Sequence, residues 1–298
     1  MQAFIPGIYP RSEALVQATR DLDRGRTTPE AVDRQVDQDL QELVRVQREA
    51  GLDLLADGML RWQDPFRPLL EATDGLRTGA LTRFLDTNTF YRAPEAEGDS
   101  PALPKPLGAE YVPPLDGPKL VTLPSPFAFS LGTGLSPKAL AEGVLGPQIE
   151  ALDADLVVLS EPFLAREESP DLEALATALE ALPETPAVLQ CTFGDASALL
   201  ERGLAELPVE GIGIDFYATR LDALPETDKL LLAGVLDARN SFVEDAREIA
   251  AFAGELAQRA ERIALVPNGD LQYVAEPVAR EKVAVLGRAK GAPVEEAA

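Results

Sequence analysis

Apolar positions along the chain fall into short runs separated by stretches of mixed character. The segment 187–215, AVLQCTFGDASALLERGLAELPVEGIGID, sets the pattern. An apolar run leads into a Gly-Asp turn, then a segment with helical spacing over 196–207, then a second apolar run at 211–216. Strand, turn, helix and strand within about thirty residues make a βαβ unit. The same alternation predicts further strands at 3–11, 52–58, 119–126, 155–162, 229–240 and 262–269. Helices are predicted at 12–24, 29–50, 137–152, 171–182, 243–261 and 275–290. In the 29–50 helix, Val32, Val36, Leu40, Leu43, Val44 and Gln47 recur at helical intervals, and Gly51 supplies the stop. The run LDLLADG at 52–58 is nearly continuous in apolar character, as a strand covered on both faces would be.

Together these runs predict an α/β fold: a single (β/α)8 TIM-type barrel over 1–298, with a doubly wound sheet as the second topology. The period breaks after the second strand. Residues 86–118, rich in Pro and Gly from 94 on, are expected to form an irregular excursion or lid.

Composition narrows the chemistry. The 298 residues carry 50 Asp and Glu against 27 Lys and Arg, a formal charge of −23. Such a surface repels phosphate backbones and anionic membranes, so neither nucleic acid nor membrane is an expected partner. No apolar run is long enough to span a bilayer and no leader pattern is visible, which predicts a soluble, cytoplasmic protein. One cysteine forbids an internal disulfide. The absence of histidine excludes Ser-His-Asp and Cys-His catalysis and every His-containing metal site. Acid–base work falls to carboxylates, Tyr, Lys or Cys.

In parallel β/α folds, ligands bind at the carboxyl ends of the strands. There the predicted strands place Arg11, Asp57, Ser125, Glu161, Cys191, Asp195, Asp215, Asp237, Arg239, Asn240 and Asn268; the excursion and the run before it add Trp62, Asp64, Asn88, Tyr91 and Arg92. Asp, Asn and Ser at βα junctions commonly cap the next helix, which accounts structurally for any one of them. As a set, with Glu161 and Asp215 inside strand-like runs, they predict a polar pocket. Cys191 and Asp215 are the candidate metal ligands, although one thiolate and carboxylates are a poor set for zinc. A lone cysteine in an apolar strand is more commonly a small buried hydrophobe.

Eight pieces of the chain, in order, resemble cobalamin-independent methionine synthase, of the uroporphyrinogen decarboxylase-like barrel superfamily. They are YPR (9–11), DTNTFYRAPE (86–95), LPSPFAFSL (123–131), SEPFL (160–164), CTFGD (191–195), LPVEGIGID (207–215), GVLDARN (234–240) and VPNGDLQYV (266–274). That family is built from two similar (β/α)8 barrels. Its catalytic barrel holds zinc through a His-x-Cys pair, a Glu and a final Cys. By the resemblance, Leu189 stands at the His position, Asp215 at the Glu and Asn268 at the last Cys, and only Cys191 is kept. The acidic positions that contact homocysteine correspond to Met59 and Ser160. The wording is closer to the zinc-free amino-terminal barrel.

The resemblance implies a methyltransferase-type barrel, with Asp215, Cys191 and Glu161 as the residues nearest the chemistry. Its expected ligand is a small molecule, methylfolate or a thiol or acidic metabolite, and a zinc-bearing partner barrel is a further expectation. A polyglutamylated folate would need Arg11, Arg92 and Arg239 to make a positive patch against the overall field. Two other readings stand beside it. One is a non-catalytic folate-side binding subunit with a mouth lined by Trp62, Tyr91, Asp215 and Arg239. The other is a metal-free decarboxylase or lyase resting on Arg11 and Asp57.

Overall fold

The strand runs are apolar because helices cover one face of the sheet they form and side chains fill the other. A computed structural model describes residues 1–292; residues 293–298 of the expected single domain fall outside the described part. The strands are β1 (Gln2–Ala3), β2 (Leu76–Arg83), β3 (Phe90–Ala96), β4 (Leu120–Pro124), β5 (Leu156–Glu161), β6 (Ala187–Cys191), β7 (Gly211–Asp215), β8 (Thr227–Leu236) and β9 (Ala260–Pro267). Seven of them form one curled parallel sheet in the order β1-β9-β8-β7-β6-β5-β4, while β2 and β3 pair antiparallel as a separate hairpin. The parallel register, with Leu159 opposite Leu189 and Ile212 opposite Leu231, puts all carboxyl ends on one side.

Two predicted strands are shorter than expected. The first keeps only two residues, because Pro6 offers no N–H to a ladder and Gly7 turns at φ +83°. The second, predicted at 52–58, is reduced to one bridge, Leu55 opposite Lys119. Its backbone groups find other partners. Ala56 exchanges both its N–H and its carbonyl with the buried side-chain amide of Gln47, each at 2.9 Å. Asp53 donates its N–H to the Ala3 carbonyl at 2.9 Å, and its carboxylate accepts the Ala3 N–H at 2.7 Å. Gln47, which sequence spacing places on the apolar face of the Pro29–Glu49 helix, is therefore the side chain that holds this segment in place.

The excursion also differs from expectation. Its first part is regular: β3 lies within 86–118 and pairs with β2, which the sequence reading left unassigned. The Pro-rich remainder is ordered by docking. Pro147 has no N–H for the Gly143 carbonyl, so the helical ladder relaxes into a π turn over Ala141–Leu145 between Pro137–Leu140 and Gly146–Glu150. The freed Gly143 carbonyl accepts the Leu103 N–H at 2.9 Å. Gln148 brackets Leu107 in the same way, accepting its N–H at 2.6 Å and donating to its carbonyl at 3.3 Å. No described helix is long and apolar enough to cross a membrane.

Candidate functional site at the carboxyl ends

The floor of the site is made by strand-end polar groups that are out of solvent. Asp215 closes β7 and is 1% exposed. Its Oδ1 accepts from the Tyr217 N–H at 2.9 Å and from Asn268 Nδ2 at 3.1 Å, while its Oδ2 has no hydrogen-bond partner among the described residues. Burial raises its pKa, opposed chiefly by the hydrogen bonds from Asn268 and Tyr217 and by the charge of Arg239. Asn268 is held at both ends, since its Oδ1 accepts the Ala238 N–H at 2.9 Å.

Two strands along the sheet, on β5, Glu161 is wholly buried. Its oxygens accept from the Ser125 hydroxyl, from the Ala128 N–H at 3.1 Å, and from the Phe163 and Leu164 N–H groups at 2.9 Å. With every contact a protein donor, Glu161 and Ser125 shape the turns after β4 and β5. Desolvation pushes the Glu161 carboxyl upward against those hydrogen bonds. Cys191, its register neighbour on β6, is buried, and its thiol is pushed far up by desolvation and by Glu161.

Aromatic side chains close over this floor. Phe163 follows β5, Phe193 follows β6 and Tyr273 follows β9; the hairpin adds Phe84 and Tyr91. Phe84 stacks on Tyr273 at 6.1 Å and 15° and meets Phe163 at 5.9 Å, and Tyr91 bridges Phe84, Phe163 and Phe66. Phe193 stands edge-on to Tyr273 at 5.4 Å, with the Arg239 guanidinium 4.7 Å above its ring. Arg239 continues to Asp86 at the hairpin tip, at 3.4 Å. Among the described residues, three non-glycine residues have positive φ, Met59, Leu85 and Phe193; Leu85 follows Phe84 and Phe193 belongs to the cluster itself, and such strain concentrates at functional sites. Gly269 is a packing requirement: a Cβ there would lie 2.1 Å from the Phe193 ring.

The sequence-predicted residues divide accordingly. Asp215, Asn268, Arg239 and Tyr91 come together at the mouth. Trp62 is a core residue, 2% exposed, with Nε1 donating to the Tyr111 carbonyl at 3.0 Å. Arg11 donates to the Trp62 carbonyl at 2.8 Å, and burial lowers its pKa. Asp64 links the Phe66, Arg67 and Arg92 N–H groups, leaving the Arg92 side chain exposed. Asn88 sits exposed at the hairpin tip, and Asn240 is exposed past β8. Asp195 accepts from Ser197, as a turn residue does. Asp57 accepts the Met59 N–H at 3.0 Å, and burial raises its pKa to about 6.

Several residues were not among the sequence-predicted ones, although Phe163, Phe193, Asp270 and Tyr273 lie in the pieces that carry the resemblance. Phe84, Phe163, Phe193 and Tyr273 come from four separate segments. Asp270, at the end of the β9 turn, packs on Gly7 and is raised by burial to about 6. Behind the loop after β8, Lys282 is fully buried and donates to both Glu244 oxygens, at 2.9 and 2.7 Å, and to the Phe242 carbonyl at 2.6 Å. Glu244 also accepts the Asp237 N–H and the Tyr217 hydroxyl, fastening the loop that carries Arg239.

Zinc, the metal of the resemblance, does not fit these residues. Among those described, no three His, Cys, Asp or Glu gather as a metal-holding group. Burial, with Glu161 alongside, pushes the pKa of the Cys191 thiol up, and the Asn268 amide already donates to Asp215 where a further ligand would be needed.

The family profile described as "Cobalamin-independent synthase, N-terminal domain" matches residues 143–261. The chain is related to the cobalamin-independent methionine synthases. Its likeness runs through their N-terminal domain, as the resemblance at the strand ends implied. A 5-methyltetrahydropteroyltriglutamate–homocysteine methyltransferase of Streptomyces avermitilis is 29% identical over 250 residues, 74% of this chain and 32% of that protein. The enzyme of the same name from Halalkalibacterium halodurans is 32% identical over 231 residues, 68% of this chain and 30% of that one. The chain thus spans about a third of the length of the curated relatives it matches. The solved B12-independent methionine synthase of a Shewanella species, in complex with selenomethionine, shares the fold with a TM-score of 0.69. That likeness covers 89% of each chain at 15% identity.

Proposed function

We propose that the chain is a zinc-free barrel of the methionine synthase type that binds a methyl donor of the methylfolate class, on the donor side of a methyl transfer completed by a zinc-bearing partner barrel. Segment 52–58 takes the place of the strand that closes the ring, and residues 1–298 form one domain. Asp215 carries this reading. Its buried Oδ2 lies unpaired at a strand end beside an aromatic cluster, and an orphaned acceptor of this kind costs about 1–3 kcal/mol. An N–H of a bound flat heterocycle recovers that cost, with Arg239 and the rings of Phe193 and Tyr273 as its surroundings. Thiol activation has no equivalent support, because no group at the site among the described residues would hold a thiolate at neutral pH. The lyase reading gains no support from Arg11, whose guanidinium donates to the Trp62 carbonyl.

Isothermal titration with the monoglutamate of 5-methyltetrahydrofolate tests the reading. Wild type is expected to bind, Asp215→Asn to bind roughly tenfold or more weakly, and the chain alone to methylate no homocysteine even with added zinc. Absence of binding by wild type at millimolar ligand overturns the reading. So does autonomous homocysteine methylation.

A further inference from the structure

The hairpin contributes one side chain that neither strand period explains. Phe84 ends the rise of β2, is 5% exposed, and lies in the mouth of the parallel sheet. Its ring is held as a bound aromatic ligand would be: stacked on Tyr273 at 15°, with Phe163 and Tyr91 presented at 60° and 85°. Beneath it, the Tyr273 hydroxyl is buried, with Thr89 and Gln272 as its polar neighbours. From Tyr273 the contacts continue through Phe193 to Arg239, whose charge reaches Asp215 and its unpaired oxygen. An unpartnered, buried carboxylate oxygen next to an aromatic enclosure points to a ligand that is larger and more polar than phenyl.

The hairpin is joined to the sheet through side chains and loops, not through a ladder. No ladder joins β2 or β3 to the seven-stranded sheet among the described residues. The tip is tied to itself, with the Phe84 N–H donating to the Thr89 carbonyl at 2.9 Å and the Thr87 hydroxyl to the Phe84 carbonyl at 2.6 Å. The tip is thus a self-contained unit. Its outer fastening is the Arg239–Asp86 pair, whose aspartate side chain is 72% exposed. At the other end, the Arg92 N–H donates to Asp64, which serves as the pivot.

We infer that Phe84 is an internal stand-in for the flat ring of a ligand, and that the hairpin must lift from a slot walled by Tyr273, Phe163 and Phe193 before that ring can enter. The slot takes a planar, hydrogen-bonding heterocycle; naming it as the pterin of a methyl donor rests on the function proposed above. Because a site occupied by its own side chain binds only in its open fraction, removing the occupant strengthens apparent binding by that factor.

The test is stopped-flow absorbance and titration with 5-methyltetrahydrofolate and with 6-methylpterin, which has neither transferable methyl nor tail. Wild type, Phe84→Ala and Asp86→Asn are compared, with a melting curve for each. Phe84→Ala is expected to bind roughly tenfold more tightly, and both variants to associate faster. If Phe84→Ala does not fold, the association rate of Asp86→Asn decides alone. Methylfolate binding at rates and affinities that neither substitution raises overturns the stand-in and leaves the proposed function intact. 6-Methylpterin binding that tightens in Phe84→Ala, with no methylfolate binding by any variant, upholds the slot and removes the methyl donor. If neither compound binds any folded variant, both inferences fall.

Discussion

Replacing Lys282 by Met tests whether the loop carrying Arg239 is held from behind. The ammonium is wholly buried and donates three hydrogen bonds, two of them to Glu244. Methionine fills similar volume but leaves the Glu244 carboxylate with the Asp237 N–H and the Tyr217 hydroxyl as its remaining donors, and the Phe242 carbonyl without the ammonium. Breaking one side of a buried ion pair costs about 3–5 kcal/mol, most of it from the stranded charge. Urea unfolding should show that loss as a lower midpoint at unchanged slope. Lys282→Met/Glu244→Gln removes the stranded charge while keeping an acceptor for Asp237 and Tyr217, so it should recover about 1 kcal/mol or more. A loss under about 1 kcal/mol in the single variant, or a double variant less stable than the single, refutes the reasoning.

Asp57 and Asp270 are both raised by burial from 3.8 to about 6. A carboxyl whose folded pKa exceeds its unfolded one binds more protons when folded, so its contribution to stability falls as pH rises through that interval. Asp57→Asn/Asp270→Asn should flatten the fall in urea midpoint between those two pH values, and an unchanged profile would show the two groups to be solvated. Gly269→Ala places a Cβ 2.1 Å from the Phe193 ring. The expected loss is about 1–3 kcal/mol from overpacking, along with a disturbed Arg239–Phe193 contact; wild-type stability would mean that the ring moves freely. Cys191, buried with its thiol pushed far up, should resist a disulfide reagent in the native protein and react fully in urea. Rapid native labelling near neutral pH would contradict the burial.

The parallel strands were legible because β5 to β7 are short apolar runs, and apolar character survives whatever the neighbours do. What misled was backbone bonding. LDLLADG reads as a strand, yet the Gln47 side chain meets the N–H and carbonyl of Ala56, and the Asp53 carboxylate reaches out to the Ala3 N–H. The hairpin was hidden for a different reason. Its large apolar side chains, Phe84 and Tyr91, serve the mouth, while Leu81 and Phe90 are exposed, so no period-two pattern develops. At the site, Asp215, Asn268 and Arg239 were readable as polar residues at strand ends. Of the aromatic enclosure only Tyr91 was singled out; the other rings come from segments far apart in the chain, and single aromatics carry no period that would bring them together. Glu161 shows the opposite failure: the strand-end position was right, but its four protein donors give it a structural part.

Trp62 is the chain's one tryptophan, and its position gives the protein a built-in optical gauge. The indole is sealed from water, with its N–H on the Tyr111 carbonyl and its own carbonyl gripped by Arg11. Two residues on, Asp64 holds the foot of the hairpin through the Arg92 N–H. Emission from this ring therefore reports one joint, where the amino-terminal run, the Pro-rich excursion and the hairpin meet. Detachment of the excursion should shift it to the red and open it to collisional quenchers while circular dichroism from the sheet is still unchanged. The order of those two signals in a denaturant titration would show which part of the molecule loosens first.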